Sequence, residues 1–166
     1  MLKHTGIISP DELKSALPPQ PRLEKGPVAI IECLQDIPCD PCVSACPVNA
    51  IQMRAGITDK PQLQFDVCTG CGACVPKCPG LAIFILNTKH KPGMATLSLS
   101  YELLPLPEKD QLVEALDRSG KAVCEVKVVR VVNPPAYDRT AVVTVEIPAD
   151  QVNNIRAVRV LRRGAK

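Results

Sequence analysis

Residues 68 to 79 read CTGCGACVPKCP. Cys68, Cys71, Cys74 and Cys78 follow the spacing C-x2-C-x2-C-x3-C, and Pro79 closes the run. Three cysteines spaced this closely fit on one tight loop wrapped around a face of a polynuclear centre. The spacing is that of iron–sulfur ligands. Zinc sites built from paired C-x2-C elements do not normally stack three cysteines in this way and add a Cys-Pro step. Gly70 and Gly72 lie inside the loop, where unusual dihedrals and a close approach of backbone to inorganic sulfide favour residues without a Cβ. The fourth cysteine, ahead of the proline, lies beyond the loop's reach and is read as a ligand to a neighbouring cluster.

Working upstream, the run recurs 32 residues earlier in altered form. Cys39 matches Cys71, Cys42 matches Cys74, and Cys46 with Pro47 matches Cys78 with Pro79. The match continues into PVNAI and PGLAI, and each half opens with an extended apolar segment, PVAIIEC or PQLQFDVC. Each half therefore reads as strand, cysteine loop, short helical turn, strand. The position matching Cys68 is Asp36, and the nearest upstream cysteine, Cys33, stands three residues too early. Three readings are open. Cys33 completes the first site across a bulged loop that ends at Pro38, or Asp36 supplies an oxygen ligand. In the third, the first site holds three irons or nothing, and Cys33 is an ordinary buried strand residue.

Residues 27 to 86 resemble a bacterial-type ferredoxin with two [4Fe–4S] clusters. The resemblance rests on the CTGCGACVPKCP run and its repeat, and covers just over a third of the chain. It implies a pseudo-twofold pair of strand–loop–strand units. It also implies interleaved ligands, with Cys33, Cys39, Cys42 and Cys78 on one cluster and Cys68, Cys71, Cys74 and Cys46 on the other. Each Cys-Pro cysteine would then tie one half to the other, so cluster loss is expected to unfold this part.

The flanks carry no metal motif. In residues 1 to 26, Ser9 is placed to cap a short helix with Pro10 at its first position. LPPQPRLEKGP then reads as an extended arm. Residues 87 to 92, NTKHKP, read as a linker. From 93 to 166 five strand-like segments follow, TLSLSYELL, QLVEALD, KAVCEVKVVRVV, TAVVTVEI and IRAVRVL. Turn-rich sequence separates them, and PADQVNN reads as one helical turn. The expected fold is α+β, a ferredoxin-like two-cluster domain followed by a small all-β barrel or sandwich.

The rest of the chain narrows the function classes. It has 166 residues, nine cysteines, 17 prolines, no Trp and a net charge of +3. Eight cysteines crowd between 33 and 78, which points to metal rather than disulfides. The start lacks an apolar signal region and no apolar run is long enough for a membrane span, so a cytoplasmic protein is expected. Cys124 reads as a small buried hydrophobe, and His4 and His90 as solvated. Arg156, Arg159, Arg162, Arg163 and Lys166 read as a basic tail that is solvated or docks a partner. A nucleic-acid partner is not expected, because Tyr101 and Tyr137 are the only aromatics of the β part and base stacking needs more. No phosphate loop, Rossmann fingerprint or Ser-His-Asp set appears, so no site for transforming a substrate is read.

The resemblance implies single-electron transfer. Residues 27 to 86 carry three basic against five acidic side chains, and residues 87 to 166 carry thirteen against nine. Diffusible ferredoxins are short and acidic, so the added segments suggest a fixed subunit. The analogy implies a partner containing a flavin dehydrogenase, of the kind that acts on amines or amino acids. The competing reading is a structural or redox-sensing module that carries a β-type protein- or nucleic-acid-binding domain.

Overall fold

The computed structural model describes residues 2 to 161; Met1, residues 162 to 166 and the Lys3 side chain lie outside the description. The chain opens with three single-turn helices, α1 (Leu2–Thr5), α2 (Pro10–Leu13) and α3 (Gln20–Leu23). Ser9 caps α2 in a capping box with Glu12. The Glu12 carboxylate accepts from the backbone and hydroxyl of Ser9 and from the Leu2 backbone, which holds its pKa at about 2. The expected extended arm is not extended. Leu13 and Ala16 are buried, Leu17 and Leu23 pack on the main core, and Arg22 is buried. Apolar burial draws this proline-rich stretch onto the protein's own body, with Pro10 and Pro21 in first-turn positions that tolerate a missing N–H.

Seven strands form one sheet. In chain order they are β1 (Val28–Ile31), β4 (Ile83–Lys91), β5 (Met94–Tyr101), β6 (Leu112–Leu116), β7 (Ala122–Val132), β8 (Ala141–Pro148) and β9 (Ala157–Arg159). Their spatial order is β1-β4-β5-β8-β7-β6-β9, and every neighbouring pair is antiparallel. The five strand-like segments of the sequence correspond to β5 to β9, and Ala149–Gln151 forms the expected helical turn. Period-two burial is clearest on β5 and β8, where Leu97, Leu99, Val143, Val145 and Ile147 fill the core.

The expected linker at 87 to 92 is not a hinge. Residues 87 to 91 are the outer half of β4, and the chain turns into β5 at Pro92 and Gly93, where Gly93 takes φ +73°. The β1–β4 pair is a wall between two cores. Ile30, Phe84 and Leu86 join the large sheet core, whereas Ala29, Ile31, Ile83 and Ile85 pack with the cysteines. A strand buried on both faces reads as a continuous apolar run, which VAII is.

The sheet curls until residues flanking its two edge strands meet. Glu32, just past β1, accepts from Arg156 Nε at 2.7 Å and from Arg118 Nη2 at 2.6 Å. Burial pushes the Glu32 carboxyl up, but the two guanidinium groups outweigh it and hold it below its usual value. Arg156 also stacks over the Phe84 ring, 5.1 Å from its centroid.

The basic-tail reading therefore fails at Arg156, which is only 7% exposed. Arg159 is exposed and pairs with Glu114 at the surface. Arg162, Arg163 and Lys166 lie outside the described residues. His90 is not simply solvated either, because its Nε2 lies 2.5 Å from Glu146 Oε2. His4 is exposed, and Cys124 is half-buried against the large core.

Candidate metal centre

Beyond the wall, the chain between β1 and β4 has little regular structure. A helical turn, α4 (Pro41–Ser44), leads to β2 (Ile51–Gln52), which pairs with β3 (Gln62–Leu63); a 3-10 turn at Val75–Lys77 then leads into β4. The two halves mirror each other: β1, cysteine loop, α4, β2; then β3, cysteine loop, 3-10 turn, β4. The outer strands pair with each other and so do the inner ones.

The 32-residue offset persists in fine detail. Asn49 and Leu81 both take positive φ, 52° and 50°. Each turn is closed by a backbone bond, Asn49 to the Cys46 carbonyl and Leu81 to the Cys78 carbonyl. The next N–H then donates to sulfur: Ala50 to Cys46 Sγ at 3.2 Å, and Ala82 to Cys78 Sγ at 3.4 Å. A left-handed residue after Cys-Pro thus aims a backbone dipole at a thiolate.

The eight cysteines separate into two groups. Cys46, Cys68, Cys71 and Cys74 line one cavity together with Gly70 and Gly72. Cys74 is buried, and its thiol is pushed up to about 12 by burial and by the neighbouring Cys68, Cys71 and Cys46. In the other group, burial and then Cys78, Cys39 and Cys33 push Cys42 up to about 11. Cys33 is raised by burial and by the same neighbours, Cys78 and Cys39. Sulfurs crowded like this repel as thiolates, so an incoming cation must displace their protons.

Cys33, not Asp36, stands among the sulfurs. Its sulfur accepts the backbone N–H of Gln35, as Cys68 accepts that of Gly70 two residues on. The Asp36 side chain is 74% exposed and pairs with Lys60 at 3.6 Å. The parallel between Cys33 and Cys68 is not one of strand ends, however. β3 stops at Leu63, and a turn bonded from Val67 and Cys68 back to the Gln64 carbonyl intervenes.

Both loop glycines take positive φ, +67° at Gly70 and +81° at Gly72. Gly70 also lies against Pro27, and a Cβ there would come within 2.4 Å of the Pro27 carbonyl oxygen. Arg22 reinforces this contact. It donates from Nη2 to the carbonyls of Pro27 at 2.9 Å and Cys68 at 2.6 Å, and from Nε to that of Phe65 at 2.7 Å. Sequence reasoning missed Arg22, because nothing in LPPQPRLEKGP marks one basic residue as buried.

These donors suit iron–sulfur clusters: four soft thiolates in each group, backbone N–H groups aimed at sulfur, and glycine where the backbone must come close. Comparison with known proteins agrees. The 4Fe-4S dicluster domain family matches residues 37 to 82, a match that begins after Cys33. The ferredoxin-type protein NapF of Haemophilus influenzae is 43% identical over 59 residues, 34% of each chain. An uncharacterized ferredoxin of Methanocaldococcus jannaschii is 44% identical over 52 residues, 31% of this chain and 32% of that one. The ABC transporter E family member 1 of Arabidopsis thaliana is 32% identical over 91 residues, 48% of this chain and 15% of its own. The chain thus spans about a third or less of the length of these relatives. No solved structure matches it significantly. The cysteine region is thus similar to ferredoxin-type 4Fe-4S segments. Among the described residues no helix is long and apolar enough to cross a membrane.

Proposed function

We propose that the chain holds two [4Fe–4S] clusters and relays single electrons between a flavin-containing dehydrogenase subunit and an acceptor. The supporting observation is the division of eight cysteines into two groups, each of which takes its Cys-Pro cysteine from the opposite half. Cys33, Cys39, Cys42 and Cys78 would hold one cluster, and Cys46, Cys68, Cys71 and Cys74 the other. When bound, such a cluster supplies reversible one-electron storage. The chain fixes the spacing of the two sites through the crossed ligands Cys46 and Cys78. It donates N–H groups to sulfur from Gln35, Ala50, Gly70 and Ala82, and excludes water with Ala29, Ile31, Ile83 and Ile85.

Docking on both sides is supported by exposed apolar side chains close to each loop. Ile37 and Ile57 flank the first loop, where Cys39 N–H donates to the Ile57 carbonyl, and Val48 and Val67 flank the second. A flavin suits the donor side because it takes two electrons from an organic substrate and passes them on singly. The test is anaerobic iron and sulfide analysis with a reductive titration. The expected result is about eight irons and eight sulfides per chain with two one-electron reductions, and co-isolation of a flavoprotein from the native host. Zinc in place of iron, or clusters that do not reduce reversibly, would reject the relay.

A further inference from the structure

Arg22 is a buried cation without a carboxylate. It is 6% exposed, and its guanidinium donates to the carbonyls of Phe65, Gly26, Pro27 and Cys68. Among the described residues no acidic side chain lies within ion-pair distance of it. The other buried arginine, Arg156, shows what is ordinarily required: it is paired with Glu32. Carbonyl oxygens supply partial charges only, and a buried unpaired charge is expensive. The missing negative charge has a natural source. Arg22 clamps the backbone at Cys68 and at Pro27, and Pro27 is the residue against which Gly70 packs. Cys68 and Gly70 both line the cavity of the second cysteine group. Four thiolates around an iron–sulfide core leave a net negative charge there.

We propose that Arg22 is the buried counter-charge of the cluster held by Cys46, Cys68, Cys71 and Cys74, and that it raises that cluster's reduction potential above the value the loop alone would set. This rests on the two-cluster reading above. Adding an electron makes the cluster more negative, so a fixed cation nearby favours the reduced form. The effect is local, because Arg22 touches the backbone of the second loop and not that of the first. Arg22 is thus a positioning residue through its carbonyl bonds and a potential-setting residue through its charge. The N-terminal segment is thereby part of the redox centre.

The experiment compares the unaltered protein with Arg22→Met and Arg22→Lys by equilibrium redox titration followed by electron paramagnetic resonance. The second cluster's signal is identified by its loss in Cys71→Ser. Iron is counted first in the unaltered protein, and a count well short of two clusters rejects the underlying reading and this inference with it. With two clusters present, the expected result is a lowered potential for the second cluster alone in Arg22→Met, largely restored in Arg22→Lys. An unmoved potential at full iron content, an equal shift of both clusters, or a lysine variant that behaves like the methionine variant would overturn the proposal. Should Arg22→Met fail to hold the cluster, Arg22→Lys decides. A loaded lysine variant with a near-native potential supports the charge, and a lysine variant that also loses the cluster or falls in potential rejects it.

Discussion

The two cysteine loops share a repeat but not a support. The second is held from three sides. Arg22 clamps Cys68 and Pro27, Gly70 packs on Pro27, and the Val75 carbonyl accepts from Ser100 Oγ on β5 at 3.0 Å. The first is held at its base. Glu32 joins Arg118 and Arg156 beside Cys33, and the Cys39 N–H reaches the Ile57 carbonyl. Between these points Gln35, Asp36, Ile37 and Pro38 are all exposed. The regular motif sits where the fold grips it, whereas the motif with the longer span bulges into solvent. A ligand spacing can therefore be loosened by three residues where the extra chain is largely exposed.

The crossed cysteines give the largest expected effects. Cys78 lies in the second loop but stands among the sulfurs of the first group. Cys78→Ala is expected to remove about four irons, with the remaining cluster held by Cys46, Cys68, Cys71 and Cys74. Iron analysis and the spectrum of the survivor check this, and loss of the second loop's cluster instead would show that the ligands do not cross. Next comes Gly70→Ala, which places a Cβ against the Pro27 carbonyl at positive φ. It is expected to cost about 3 kcal/mol or more and to empty the second site first, read by thermal unfolding and iron content.

Glu32→Gln leaves Arg156 and Arg118 without their carboxylate. About 3–5 kcal/mol of stability is expected to be lost, since removing one partner leaves buried charge uncompensated. Denaturant unfolding measures it, and the first cluster should become the more labile. The smallest effect is expected at Asp36, which pairs only at the surface. Asp36→Ala should leave iron content unchanged and alter stability by under about 1 kcal/mol. A lost cluster in that variant would bring back the oxygen-ligand reading.

The same contrast explains what could be read in advance. The cysteine spacing, the repeat and the alternating strands β5 and β8 are local patterns, and local patterns are legible. Arg22 and Glu32 were not, because their roles depend on partners far along the chain: Arg22 on the Phe65 and Cys68 carbonyls, Glu32 on Arg118 and Arg156. Glu32 did carry a signal, since a charged residue ending the apolar run VAII calls for a counter-ion. The linker reading of 87 to 92 failed for a related reason. NTKHKP looks like linker sequence because its side chains are polar, yet its backbone continues the ladder of β4 with β5. The arm was misread because its prolines were weighed above Leu13, Ala16, Leu17 and Leu23, which pull it onto the body.

The proposed relay requires two clusters side by side, each bound by one Cys-Pro cysteine from the opposite half. The most direct measurement is the electron paramagnetic resonance spectrum of the fully reduced protein, compared with that of Cys33→Ala. Two reduced clusters tied together by Cys46 and Cys78 should give a broadened spectrum of interacting spins in the unaltered protein. In the variant, which keeps the second site intact, this should collapse to the simple spectrum of one isolated cluster. A simple one-cluster spectrum already in the unaltered protein, or an interacting spectrum that survives Cys33→Ala unchanged, would contradict it.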